Sequence, residues 1–285
     1  KERDKAEEEL ENLLTADNVE GESSIERIRA LALQEANNKD LQFTGNSWTA
    51  SLVGTGFQVA PEPVDLPPTV TATLRPYQER GVAWLAWMSS RNLGAVLADD
   101  MGLGKTLQVL SLIAYEREQD LQRPPTLVVA PTSVISNWKA EAERFVPSLK
   151  VALHHGSSRK KGEELARQVQ DLHILVTSYG TVVRDFLELQ KLEWDHVIVD
   201  EAQAIKNTST TTHRAVRSIH PRQRIALTGT PVENRLSEMR AILDFCNPGI
   251  LGSATFFRNH FARPIERDKD SDLARRFQAP VSYTH

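Results

Sequence analysis

From Thr71 onward the chain alternates short apolar runs with helical stretches, a rhythm that few folds accommodate. The runs Ala95–Ala98, Thr126–Ala130, Val151–His154, Ile174–Thr177, Val197–Asp200 and Ile225–Leu227 read as strands. Between them, Lys105–Arg117, Val134–Phe145, Lys161–Gln170, Thr181–Gln190 and Thr211–Ser218 read as helices. Strands alternating with helices specify an α/β fold, a parallel sheet covered on both faces. Ligands of such sheets collect beyond the carboxyl ends of the strands. Asp99–Thr106, Pro131–Ser133, Asp200–Gln203 and Thr228–Pro231 each follow a strand and so fall there.

The first of these turns is the most informative. Leu97–Ile113 reads LADDMGLGKTLQVLSLI, an apolar run, a glycine turn ending in Gly-Lys-Thr, then an amphipathic helix. Gly102 and Gly104 let the backbone aim N–H groups at a phosphate with no Cβ in the way, and the helix start adds its positive dipole end. Asp100, Met101 and Leu103 complete the loop. Lys105 would reach the β- and γ-phosphates of ATP, and the Thr106 hydroxyl would hold Mg²⁺. Asp99 stands where the general form of this loop has its first glycine. A chance Gly-Lys-Thr at a helix start is the competing reading.

Val197–Glu201 ends a buried strand in two carboxylates. Asp200 is placed to hold Mg²⁺ through water, and Glu201 to orient and deprotonate an attacking water. By itself the pair would read as an acidic helix cap. Upstream, Arg75-Pro76-Tyr77-Gln78 offers an amide able to read adenine N6 and N7, or simply a helix opening with Pro76 in its first turn. Thr228-Gly229-Thr230-Pro231 is a candidate phosphate sensor or an ordinary turn. His154 and His155 have no partners at metal-ligand spacing and read as structural. Trp84, Trp87, Trp138 and Trp194 read as core anchors before they read as base-stacking platforms.

Composition narrows the class. Among 285 residues, 40% are apolar and 25% charged, as in a soluble globular protein, and no apolar run approaches a membrane span. No charged-then-apolar leader opens the sequence, so the expectation is a cytoplasmic protein with no membrane partner. The single cysteine, Cys246, lies in an apolar helical stretch and reads as a buried thiol. Net charge is -4, and residues 1–30 alone carry ten Asp/Glu against five Lys/Arg, so the remainder is near neutral and shows no basic stripe. Residues 1–14 and Ser23–Gln34 read as two short helices, the second opened by a Ser23/Glu26 capping box. Asn37–Val70, with Pro61, Pro63, Pro67 and Pro68, reads as a linker. The end, Val281–His285, matches a translated transposase sequencing adapter. An incomplete reading frame is therefore expected, with a natural disordered tail as the alternative.

Taken in order, these blocks resemble the Swi/Snf-type ATPases, a branch of the superfamily-two helicases. LRPYQERGVAWL resembles the adenine block and LADDMGLGKTLQVLSLI motif I, including Asp99. TLVVAPTSVISNWKAEAERF, with Asn137-Trp138, is similar to motif Ia, and ILVTSYGTVVRD to motif Ib. DEAQAIKN is similar to motif II, and RIALTGTPVENRLSEMRAILDF, with Asn234 and Glu238, to motif III. The resemblance implies a RecA-like P-loop lobe over 70–264. Residues 1–69 would be the remnant of an upstream helicase-associated region plus linker, of the kind found in bacterial members, and 265–285 a truncated tail. It implies ATP and Mg²⁺ as cofactors. Lys105, Asp200 and Glu201 would be catalytic, Arg75, Gln78 and Asp100–Thr106 would bind ATP, and Thr106 and Asp200 would bind the metal. Gln203, Thr228, Gly229 and Thr230 would couple nucleotide state to motion. Pro131, Thr132, Ser133, Thr177, Ser178 and Lys206 would touch DNA phosphates. The implied partners are double-stranded DNA, a second RecA-like lobe of the same full-length chain carrying an arginine finger, and RNA polymerase or another DNA-bound protein on the nucleoid. A strand-separating DNA or RNA helicase, and a fragment that binds ATP without appreciable hydrolysis, are the alternatives.

Overall fold

A computed structural model describes residues 61–229, 236–249, 251 and 254–263. The two helices and most of the linker expected in residues 1–69, the tail, and Thr230, Pro231 and Asn234 lie outside them. The chain divides into two compact units. One runs from Pro61 to Cys246, so it takes in the last residues of the expected linker. The described part of the other includes a short helix, Ala254–Phe257, that passes into a π-helical turn, Arg258–Ala262.

Six strands build the larger unit: β1 (Ala95–Leu97), β2 (Thr126–Ala130), β3 (Val151–His154), β4 (Ile174–Ser178), β5 (Trp194–Val199) and β6 (Pro221–Leu227). They form one sheet in the order β1-β6-β5-β2-β4-β3, and every pair is parallel. Seven helices connect and cover them: α1 (Pro76–Ser89), α2 (Lys105–Gln119), α3 (Ile135–Phe145), α4 (Gly162–Gln170), α5 (Tyr179–Leu189), α6 (Thr211–Arg217) and α7 (Leu236–Cys246). The parallel α/β class expected from the sequence is the one observed. β2 and β4 are buried along their whole length, which explains their apolar centres, Leu127–Ala130 and Ile174–Val176. No helix among the described residues is long and apolar enough to cross a membrane.

Two strands are longer than their apolar runs predict, because each extension carries buried polar side chains whose partners only the fold supplies. β5 starts at Trp194 rather than Val197. Asp195 takes a two-pronged contact from Arg123 at 2.8 and 3.1 Å, and His196 Nε2 meets Glu116 at 2.6 Å. Glu116, Asp195 and His196 bring ligand atoms within 4.8 Å of one another. The Arg123 guanidinium, 3.3 Å from Glu116, already supplies a positive charge there. β6 starts at Pro221, four residues before Ile225; Gln223 in this extension donates to the Leu93 carbonyl at 2.7 Å.

His154 is fully structural, its Nε2 2.9 Å from the Asp185 carboxylate, which Arg159 also grips. Trp138 and Trp194 are buried and Cys246 is a free buried thiol, as expected.

Candidate nucleotide site

The glycine turn between β1 and α2 takes the shape its sequence requires. Gly102 and Gly104 adopt φ of 83° and 75°, in the left-handed region that side chains resist, and Gly104 caps the 15-residue helix α2. A Cβ on Gly104 would stand 2.4 Å from Gln78 Nε2. Glycine is thus required twice, by dihedral and by contact. Lys105 Nζ donates to the carbonyls of Asp99 at 2.6 Å and Asp100 at 3.0 Å, which leaves one of its three donors for a phosphate. Asp99 is buried and takes a hydrogen bond from Gln108 at 2.9 Å, so this acid supports the loop from below.

Gln78 proves to be bound at both ends. Its Oε1 accepts from the Arg75 N–H at 2.9 Å, and its Nε2 donates to the Leu103 carbonyl at 3.1 Å. Tyr77 donates to the same carbonyl at 3.2 Å. The competing reading, a helix opening with Pro76 in its first turn, is therefore present, and the amide also clamps the phosphate loop. One proton and one lone pair of Gln78 are left over for a base.

The acid pair lies at the end of β5, which β6 flanks on one side and β2 on the other. Asp200 Oδ2 accepts from the Trp138 indole N–H at 2.9 Å, and its Oδ1 from the Glu201 N–H at 3.0 Å. Burial, then the charge of Glu201, pushes the Asp200 carboxyl above its ordinary range, against the Trp138 hydrogen bond. Burial, then the charge of Asp200, likewise raises the Glu141 carboxyl. The half-buried Tyr179 phenol, held well above its usual value by desolvation and both acids, donates to the Asp200 carbonyl at 2.6 Å. Hard oxygen donors that repel one another beside a lysine-bearing phosphate loop are a donor set for Mg²⁺ on a polyphosphate. The residues fit that ligand. Trp138 and Glu141 were not among the sequence candidates. Trp138 read as core because an indole's packing and its N–H look the same in sequence.

Glu201 has φ 52°, unusual for a non-glycine and the kind of strain that collects at functional sites. Its Oε2 accepts from Gln203 Nε2 at 2.6 Å, and Gln203 Oε1 accepts from Thr228 Oγ1 at 3.3 Å. The chain of contacts Glu201–Gln203–Thr228 joins the ends of β5 and β6. Gly229 continues the same edge: a Cβ there would stand 2.7 Å from Met101 Cγ in the phosphate loop.

The residues expected at DNA separate into two groups. Pro131–Ser133 lead into an exposed 3₁₀ turn, Thr132–Val134, after β2. Lys206 is half-exposed and 3.2 Å from Glu238. Thr177 and Ser178 need correction. Both are buried; Thr177 Oγ1 donates to the His154 carbonyl at 2.8 Å, and Ser178 caps α5 by accepting from Thr181 N–H at 3.2 Å. Their hydroxyls serve the sheet and the helix start rather than a duplex.

Comparison with known proteins settles the lineage. The SNF2-related domain family matches residues 77–281. The chain belongs to that family. It is 45% identical over 203 residues to YwqA of Bacillus subtilis, named as an ATP-dependent helicase/translocase, covering 71% of this chain and 22% of that protein. It is 36% identical over 228 residues to the TATA-binding protein-associated factor MOT1 of Saccharomyces cerevisiae, covering 76% and 12%. The SWI2/SNF2 ATPase core of Sulfolobus solfataricus in complex with dsDNA is 36% identical and superimposes with a TM-score of 0.69, over 80% of this chain and 46% of that one. The Sulfolobus solfataricus SWI2/SNF2 ATPase core domain gives a TM-score of 0.66 at 37% identity, over 79% and 45%. The chain thus spans less than a quarter of these curated relatives and about half of the solved cores. As an SNF2-family lobe it has the RecA-like architecture that its motifs imply.

Proposed function

We propose that this SNF2-family lobe binds ATP with Mg²⁺ and serves a double-stranded-DNA-dependent ATPase that moves along duplex DNA and remodels protein–DNA complexes on the nucleoid. The observation that carries the reading is the convergence of Lys105, Thr106, Asp200 and Glu201 at the carboxyl ends of β1 and β5, with Gln203 and Thr228 bridging to β6. When bound, Mg²⁺ supplies neutralisation of phosphate charge. Lys105 would grip the β- and γ-phosphates, and Thr106 and Asp200 would hold the metal. Glu201 would take the proton of the attacking water, and Gln203 would report the state of that carboxylate to Thr228. Pro131–Ser133 and Lys206 would meet duplex phosphates, fixing register rather than sequence. The Lys206–Glu238 pair is no obstacle, since an exposed ion pair is worth about 0–1 kcal/mol.

Turnover would also need a second RecA-like lobe, because an arginine supplied from a partner surface is worth roughly 10³–10⁵ in rate. The test is steady-state ATPase and DNA binding by residues 61–264 beside a full-length SNF2-type protein containing them. The expected fragment binds ATP weakly, turns over poorly and gains little from duplex DNA, with a log–log salt slope of about -2 to -4. Strong DNA-stimulated turnover by the fragment alone would overturn the half-site reading.

A further inference from the structure

Thr177 and Ser178 serve the sheet and a helix start, but the next residue reaches the nucleotide site. Ser178 caps α5 by accepting from the Thr181 N–H at 3.2 Å, and Tyr179 is the first residue of that helix. Its phenol crosses to the end of β5 and donates to the Asp200 carbonyl at 2.6 Å. That carbonyl belongs to the peptide unit joining Asp200 to Glu201. The N–H of the same unit donates to Asp200 Oδ1 at 3.0 Å, so the plane is held at both ends. Behind it, the Asp200 N–H donates to the Val129 carbonyl at 2.8 Å; ahead of it, the Glu201 carbonyl accepts from the Ala204 N–H at 3.0 Å. Between these anchors Glu201 sits at φ 52°. A residue with a Cβ gains by leaving that region, and rotating the preceding peptide plane is the smallest motion that lets it leave. Such a conformation persists only where the surroundings over-determine it. Tyr179 restrains the plane from a different strand–helix unit.

We infer that Tyr179 is a positioning residue for Glu201, pinning the Asp200–Glu201 peptide plane so that Glu201 keeps its left-handed backbone and its carboxylate stays on Gln203. The inference rests on the nucleotide reading above and deepens it. It gives a part in hydrolysis to a phenol that acts through the backbone of the acid pair.

The test uses a full-length SNF2-type protein containing these residues and measures kcat with duplex DNA, the Kd for a fluorescent non-hydrolysable ATP analogue, and thermal unfolding. Tyr179→Phe keeps the ring and removes only the donor. Its kcat should fall roughly ten- to a hundredfold, since a misplacement of about 1 Å can cost about 10²-fold. Its Kd should match wild type. Glu201→Gln should itself lose most of the turnover, and adding Tyr179→Phe to it should lower kcat little further, because the two groups act as a unit. Normal kcat in Tyr179→Phe, beside an impaired Glu201→Gln, overturns the assignment. So does an equal fractional loss of kcat in both backgrounds, or a loss of nucleotide affinity and melting temperature that accounts for the lost turnover. Normal turnover by Glu201→Gln, or a wild-type protein that binds no nucleotide, would instead overturn the nucleotide reading, and this assignment with it.

Discussion

The indole N–H of Trp138 donates to the carboxylate of Asp200 at 2.9 Å, across 62 positions of sequence. It ties the helix that follows the exposed Pro131–Ser133 turn to the acid at the centre of the site. Trp138→Phe keeps most of the packing and removes this donor. Leaving this part-buried acceptor short of a partner costs at most about 1–3 kcal/mol, so a drop at the lower end of that range is expected in urea unfolding. Because the same hydrogen bond opposes the raised pKa of Asp200, the variant's carboxyl should move further up. Half-maximal Mg²⁺-dependent nucleotide binding should then shift to higher pH.

Lys105→Ala removes one charge-assisted phosphate contact, worth about 1.5–3 kcal/mol. Nucleotide affinity should fall tenfold or more by fluorescence titration. Wild-type affinity in this variant would mean that the loop is not a phosphate site.

Glu201→Gln and Thr228→Val should leave nucleotide binding intact and act on turnover. Glutamine cannot accept the proton of water, so a full-length protein carrying it should hold ATP unhydrolysed. Thr228→Val deletes the hydroxyl that meets Gln203 at 3.3 Å and should slow DNA-stimulated hydrolysis without changing the Kd for ATP. Normal kcat in both would remove the acid and its relay from the mechanism.

Gly104→Ala places a methyl group 2.4 Å from Gln78 Nε2, at a φ of 75° that costs roughly 1–2 kcal/mol for any side chain. Nucleotide affinity should drop. Adding Gln78→Ala should relieve the clash but not the dihedral strain, and it also removes the amide that clamps Leu103, so the double variant should stay below wild type. Full recovery would show that φ carries no cost here.

Asp185 provides the pH test of the fold. The hydrogen bond and charge of Arg159, with help from His154, hold its carboxyl at about 2, below the ordinary 3.8. Between those two values the unfolded chain binds more protons than the native one, so stability rises with pH through the window. The contribution is fully present above the ordinary value and is lost as pH falls toward 2. Its size is about 2 kcal/mol. Asp185→Asn should lose about that much at neutral pH and show a flatter stability profile between pH 4 and 2 by denaturant unfolding.

Sequence reading reaches furthest where a candidate site is contiguous. The phosphate loop must be one run of residues, because a helix N-terminus and its turn are local, and its glycines, Lys105 and Thr106 are legible together. Asp200 and Glu201 are legible because a carboxylate pair after an apolar strand has few other uses once such a loop is present. Trp138 was missed because its hydrogen bond is to Asp200, a residue distant in sequence. The starts of β5 and β6 were missed because periodicity treats Asp195, His196 and Gln223 as polar, and only the fold shows their partners. Thr177 and Ser178 erred the other way, since a hydroxyl after a strand suits a phosphate and a helix cap equally well.

Tyr77 and Gln78 both donate to the carbonyl of Leu103, and Thr71 N–H donates to the Phe145 carbonyl at the end of α3. The shape of the phosphate loop is therefore written partly in residues that precede it by about a turn of chain and a whole helix. A protein begun at Ser90 would keep every residue of Asp99–Thr106 and lose the two donors that brace them. Anyone trimming this lobe for biochemistry must place the cut before Thr71, however compact the loop itself looks on the page.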